Sequence, residues 1–391
     1  MSVTLQEVFR LGFAQHARTR RLPLHLHRAA RAILGCRTAA MGSHVRGCPE
    51  GHEIQVYYNS CRHRACPQCS RPRVDRWLDA RRQQLLACDH YHVVFTLPHE
   101  LEPLWHTNRQ RMINHLFRAV RDTLLELLED PRYLGARPGI LATLHTWGRT
   151  LSFHPHLHVL VTGGGATPEG WKPVRNGYLL PVRVVRALFR GKLLAALRED
   201  VTTERLVLPA DRSRTWIENL LRRMQQRPWN VRIQERYSHA RGVLLYLGRY
   251  LRGGPIHHRR LLAASEDRVV FAYTDHRDGQ SKAMALPMEQ FLQRLLWHVP
   301  EPGRHVVRYF GLYARGQAAA REACRAELPA PTRAEPSVGQ KPSTVAAPPA
   351  SWISAPSCSI CGRPWVVLAI WRGSRAPPHA QVSSANPLRV S

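Results

Sequence analysis

The chain has 391 residues, enough for two or three domains with a sizeable core, and its 44% apolar content is that of a globular protein. No apolar run approaches the ~18 residues a membrane span needs, and the polar start "MSVTLQEVFR" lacks the look of a signal peptide, so a cytoplasmic protein is expected. Lys and Arg number 57 against 28 Asp and Glu, a formal charge of +29; an excess that repels itself inside a compact fold points to a polyanionic partner, nucleic acid.

Only four of the basic residues are lysines, so arginine-rich codon usage accounts for the Arg:Lys ratio but not for the scarcity of acids. The nine cysteines are clustered and odd in number, which reads as metal sites in a reducing compartment and not as a disulfide ladder.

Residues 1–88 read as short basic helices followed by a zinc-binding segment. "CPEGHE" (48–53) and "SCRHRACPQC" (60–69) carry it. Cys66-x2-Cys69 is one half of a knuckle, and Cys48 with His52 can supply the other, across the strand-like "EIQVYYN". Four such ligands on two loops close a tetrahedral structural Zn2+ site that gives folding energy to a segment with little core. Cys61 competes for one position and His44 is a weaker rival. Arg62 and Arg64, beside the cluster, are candidate DNA contacts, although a solvated charged face explains them equally well.

From residue 89 the pattern changes. "YHVVFTL" reads as a strand, and an amphipathic helix near 108–129 places Ile113, Leu116, Phe117, Val120, Leu124, Leu127 and Leu128 at close to a 3.6 period. "GILATLHTW" and "HLHVLVTGG" read as a hairpin whose second strand ends on glycines 163–165. Residues 179–200 are helical in their second half, and "HARGVLLYLGRYLRGGP" is a helix stopped by Gly253, Gly254 and Pro255. "DRVVFAYTD" is a strand and "PMEQFLQRLLWHV" a helix. This irregular alternation predicts an α+β domain with an antiparallel sheet over 89–316. Residues 317–391 turn to Ala, Pro and Ser, with seven prolines between 329 and 356, and read as a mostly disordered tail. Within it Cys358-x2-Cys361 has no partner pair after it; half a knuckle and no site at all are both open, the second favoured.

The chemistry lies in two stretches. In "SFHPHLHVLVTGGG", His156 and His158 are two apart on a strand and share a face, while Pro155 sets His154 outside the regular pleat. A turn centred near 151–152 places His145 opposite His158, bringing three imidazoles within reach of one divalent ion. In "YLGRY", Tyr246 and Tyr250 stand one helical turn apart, about 100° from the stripe Leu244, Leu247 and Leu251, with Gly248 between them to let DNA approach. Packing of both tyrosines on the sheet is the competing reading. With the metal, they suggest attack of a phenolic oxygen on a phosphodiester to give a 5′-phosphotyrosine and a free 3′-OH. Arg249, Arg259 and Arg260 are further candidate DNA contacts.

"HTWGRTLSFHPHLHVLVTGGG", "YLGRY", "HVVFTLPHEL", "FRGKLL" and "SCRHRACPQC" together resemble the IS91 family of bacterial insertion-sequence transposases, in consistent order over most of residues 1–316. That family belongs to the HUH superfamily of single-strand endonucleases. The resemblance implies an N-terminal zinc-ribbon-like domain, then an HUH core with an RRM-like antiparallel sheet flanked by helices. It also implies rolling-circle transposition without ATP hydrolysis, acting on single-stranded DNA at transposon ends, as a monomer or homodimer. By the family motif His156 and His158 hold Mg2+ or Mn2+, and Tyr246 and Tyr250 are the nucleophiles. Related relaxases take a third histidine from the neighbouring strand, which implies His145, with His154 the rival. Two departures stand out: Cys48 is followed by "PEGH" where the family has C-x2-C before Gly-His, and "GGPIHHRRL" replaces an Arg- and Ser/Asn-containing stretch. A plasmid replication initiator or relaxase with the same chemistry, and a decayed zinc-containing DNA-binding protein, are the alternatives.

Overall fold

A computed structural model describes residues 3–69, 84–237, 254–275, 277–328 and 356–372. In chain order the helices are α1 (Leu5–Thr19), α2 (Leu24–Gly35), α3 (Glu102–Thr107), α4 (Arg109–Glu129), α5 (Val182–Thr202), α6 (Arg214–Gln226), α7 (Met288–Trp297) and α8 (Ala318–Glu327). The strands are β1 (Ser43–Gly47), β2 (Ile54–Tyr58), β3 (His90–Thr96), β4 (Arg137–Trp147), β5 (Phe153–Thr167), β6 (Gly170–Pro173) and β7 (Val231–Tyr237), followed by β8 (Leu261–Ala264), β9 (Arg268–Thr274), β10 (Ser281–Pro287), β11 (Val307–Gly311) and β12 (Val366–Trp371).

The architecture is α+β with antiparallel sheets, as the alternation of elements predicted. The main sheet runs β11-β4-β5-β3-β7, with β6 on the end of β5. Period-two alternation decides its two faces. Val93 and Phe95 of β3, Ile140, Ala142 and Leu144 of β4, and Leu157, Val159 and Val161 of β5 point into one core. Phe117 from α4, Phe189 from α5 and Leu220 from α6 close that core from the other side. The intervening residues, His92, His145, His156 and His158 among them, therefore lie on the opposite face. Burying the aliphatic face fixes where the histidines go.

A second core joins α1 and α2 to β8–β10 and α7 across the boundary expected at residue 88, through Phe9, Ile33, Phe271, Phe291 and Leu292. Thr4 caps α1 by accepting the Glu7 amide at 3.2 Å, the T-x-x-E arrangement that starts a helix.

Four sequence expectations change. Helix α5 starts at Val182, directly after Pro181, and so occupies more than the second half of 179–200. Strand β5 continues through glycines 163–165, because a Cβ there would come within 2.9 Å of the backbone of Asp89, Lys172 or Arg137; the glycines permit close pairing where an end was expected. His145 pairs with His156, and His158 faces Thr143, a slip of two residues accompanied by an irregularity between His145 and Trp147. Finally, 317–391 contains α8, whose Cys324 is buried in a third core, and β12, which pairs with β1. The proline-rich 329–355 and residues 239–253 of the expected helix lie outside the described residues.

Candidate metal and DNA-processing site

His145 on β4 and His156 and His158 on β5 offer ring nitrogens that all lie within 4.8 Å of one another. The two-residue register slip leaves this convergence intact, since His158 sits diagonally from His145 with ring centroids 4.5 Å apart. His154 lies outside the cluster; its carbonyl accepts a 2.6 Å hydrogen bond from His156 Nδ1. The rival for the third position thus acts through its backbone.

A chain of hydrogen bonds determines which nitrogens point inward. Gln234 Oε1 accepts from His92 Nδ1 at 2.6 Å, leaving His92 Nε2 as an acceptor for His158 Nδ1 at 2.9 Å. His158 and His156 therefore both carry their protons on Nδ1, and their Nε2 lone pairs meet at 3.1 Å. Burial, reinforced by the neighbouring histidines, pushes His145 and His158 far below the usual imidazole range; burial also brings His156 down to about 4. The rings are neutral near pH 7. Two lone pairs converging without a proton between them repel unless a cation sits there. The 3.1 Å separation matches the ~3.0 Å between adjacent ligands of an octahedral ion bound at about 2.1 Å. The residues present fit a divalent ion.

Beside His145 opens a cleft of about 560 Å³, lined by Arg64, Arg109 and Arg304, by Glu301, which pairs with Arg304, and by the aromatics Trp147, Trp297 and Tyr309. Of the other sequence candidates, Arg62 and Arg259 are exposed. Arg260 is spent on structure: its guanidinium donates to the carbonyls of Ala272, Pro255 and Arg149. Tyr246, Tyr250 and Arg249 lie outside the described residues.

The cysteines sort differently from the expectation. Cys66 and Cys69 join Cys61 and Cys36, not Cys48 and His52, in one four-thiol cluster. Sγ distances are 3.3 Å for Cys36–Cys69, 3.7 Å for Cys36–Cys66 and 3.6 Å for Cys61–Cys69. These lie at or somewhat inside the ~3.8 Å expected around a tetrahedral ion with Zn–S of about 2.3 Å. Cys61, the rival, is therefore inside the set, and Cys36, which closes α2, had been missed. No local motif marks it, since it stands alone in "ILGCRTA". His44 lies outside both sets; it pairs with Asn59 Oδ1 at 3.2 Å and stacks on Tyr57. Cys48 and His52 lie instead with Cys358 and Cys361, for which the sequence favours no site over half a knuckle.

Residues 8–97 match the family model "Transposase zinc-binding domain" and residues 139–321 the model "Putative transposase". The "Putative transposase y4qJ" of Sinorhizobium fredii is 37% identical over 309 residues, covering 77% of this chain and 78% of that protein. The chain belongs to the IS91 family of transposases. The transposase for insertion sequence element IS801 of Pseudomonas savastanoi pv. phaseolicola is 32% identical to this transposase, over 72% of the chain and 67% of the relative. A solved conjugative relaxase, TrwC, in complex with oriT DNA and metal-bound, aligns with 51% of this transposase and 68% of that chain at 15% identity; its TM-score of 0.24 is too low to carry an argument. DNA transposition is thus the activity class of this transposase, which makes it a DNA-processing and DNA-binding enzyme, and the four-thiol cluster falls in its zinc-binding domain. No helix among the described residues is long and apolar enough to cross a membrane.

Proposed function

We propose that this transposase nicks and rejoins single-stranded DNA through a 5′-phosphotyrosine, moving its insertion sequence by a rolling-circle route, and that the main sheet is its HUH-type nuclease core. The convergence of three neutral imidazoles, His145, His156 and His158, on the face of the sheet opposite the helices carries this reading. A Mg2+ or Mn2+ ion held by those residues supplies a Lewis acid to a phosphoryl oxygen. The remaining work belongs to side chains. His156 and His158 present Nε2 because the His154 carbonyl and His92 hold their Nδ1 protons. Tyr246 or Tyr250 contributes the phenolic oxygen that bonds to phosphorus, while the P–O3′ bond breaks and its electron pair leaves with the 3′ oxygen, which is protonated to the 3′-OH. Reversal by an incoming 3′-OH restores the phenol, so the phosphoester energy is retained and no ATP is required. Two tyrosines allow two strands to be held covalently at once.

The cleft beside His145 supports a single-strand path. Arg64, Arg109 and Arg304 bring positive charge to the cleft, although Arg304 pairs with Glu301 and Arg109 donates to the Trp297 carbonyl, and Trp147, Trp297 and Tyr309 offer faces on which unpaired bases stack. Exposed Arg62 and Arg259 extend the basic surface, and Arg249 flanks the nucleophiles in sequence.

The test is an adduct assay. Incubating the protein with single-stranded DNA from its element's ends and Mn2+ yields a denaturant-resistant protein–DNA species. Tyr246→Phe combined with Tyr250→Phe abolishes it while DNA binding stays nearly unchanged, and His156→Ala slows cleavage by about 100-fold with the fold intact. An undiminished adduct in the double Phe variant overturns the nucleophile assignment.

A further inference from the structure

We propose that Cys48, His52, Cys358 and Cys361 bind a second structural Zn2+, which clasps the C-terminal segment onto the N-terminal zinc-binding domain. The four ligand atoms lie within 4.8 Å of one another. Cys48 Sγ is 3.3 Å from Cys361 Sγ, and His52 Nδ1 is 3.7 Å from Cys48 Sγ and 3.8 Å from Cys358 Sγ. A tetrahedral zinc with Zn–S of about 2.3 Å and Zn–N of about 2.0 Å sets these separations at ~3.8 Å between sulfurs and ~3.5 Å from sulfur to nitrogen. A disulfide is excluded, because bonded sulfurs lie only about 2.05 Å apart. Three thiols and an imidazole form a soft, closed set with no position left for substrate, which is the pattern of a structural ion.

The backbone on the two sides is built alike. The Cys48 amide donates to Glu53 O at 2.9 Å, and the Cys358 amide to Arg363 O at 2.9 Å, each five residues on. Gly51 returns its amide to Cys48 O and Gly362 returns its own to Cys358 O, both at 2.9 Å and both in the left-handed region, with φ +79° and +72°. Two matching knuckles, about 300 residues apart in the chain, thus face each other across one point. Ser359 and Arg363 pair with Glu53 and Glu50 around the rim, but ties this exposed contribute little on their own.

The small sheet needs such an ion. Strand β12 pairs with β1 from Ser43↔Trp371 to Gly47↔Val366, yet its Val367 and Ile370 remain 54% and 69% exposed. None of the three apolar cores includes a residue of β1, β2 or β12. Apart from the ladder to β1, little therefore holds residues 356–372 in place, and a metal bond to both knuckles would do so. The four-thiol cluster is complete without these residues, and both matched family regions end before residue 358.

Metal counting on the full-length protein decides the matter. The wild type carries two zinc ions per chain, and Cys358→Ser/Cys361→Ser carries one, with faster amide exchange in 366–371 and unchanged exchange in α2. X-ray absorption of the wild type does not depend on any variant folding: it reads seven sulfurs and one nitrogen over two zincs. A single zinc in the wild type, two zincs retained in the double Ser variant, or a purely sulfur shell each overturns the proposal.

Discussion

His92 Nε2 lies 2.9 Å from His158 Nδ1, and this contact selects the tautomer that turns the other nitrogen of His158 toward the triad. His92 is fully buried on β3, and Gln234 on β7 holds it from behind. Three adjacent strands thus cooperate to aim one lone pair. Outer partners of metal-bound histidines typically govern affinity by 10–100-fold.

His92→Phe is accordingly expected to weaken Mn2+ binding by about 10–100-fold, and Gln234→Leu to weaken it in the same direction by less. Gln234→Glu, which preserves the acceptor, retains binding. Titration of free Mn2+ by electron paramagnetic resonance measures all three. An affinity untouched by His92→Phe removes the relay.

Acid stability reports a different set of histidines. Burial holds His90 at about 4 and His298 at about 3. His90 is bonded to the Cys88 carbonyl and the Tyr313 hydroxyl, and His298 sits between Thr146 and the Leu151 carbonyl. The unfolded chain takes up protons near 6.5, whereas the folded one resists until the lower values. Stability from these groups is full above about pH 6.5 and is lost as pH falls toward 4 and 3. Denaturant midpoints measured from pH 7 to 4 should fall steeply, and His298→Asn should flatten part of the slope. A flat profile contradicts this.

Zinc in the four-thiol cluster should be felt by the helices around it. Cys36, Cys66 and Cys69 share a core with Phe9, Ala30 and Ile33 of α1 and α2. Cys66→Ser or a strong chelator is expected to raise amide exchange at least tenfold over 5–35, leaving β4 and β5 protected, since structural zinc commonly supplies about 10 kcal/mol of folding energy. Uniform exchange across the chain, or none gained in the helices, argues against it.

Much of the main sheet is legible in local pattern. The apolar period along "GILATLHTW" and "HLHVLV" assigns a strand and a face to each residue, and so places His156 and His158 together. The two-residue slip is not legible, because it depends on how the turn and an irregularity near Trp147 close the hairpin. His92 was equally invisible as a support: in "HYHVVFTL" it reads as one more polar residue on a strand, and only pairing with β5 and β7 gives it partners.

Residue types and their local spacing are legible along the chain: the basic excess, the His pair two apart, the paired cysteines, and the family they mark. The partition of thiols comes from the fold, which sends Cys36 to Cys66 and Cys69, and Cys48 to Cys358 and Cys361. The reason is physical. All thiols are chemically alike as ligands, so the choice among them rests on where folded loops bring sulfur atoms within about 4 Å, and separation along the chain carries no record of that distance.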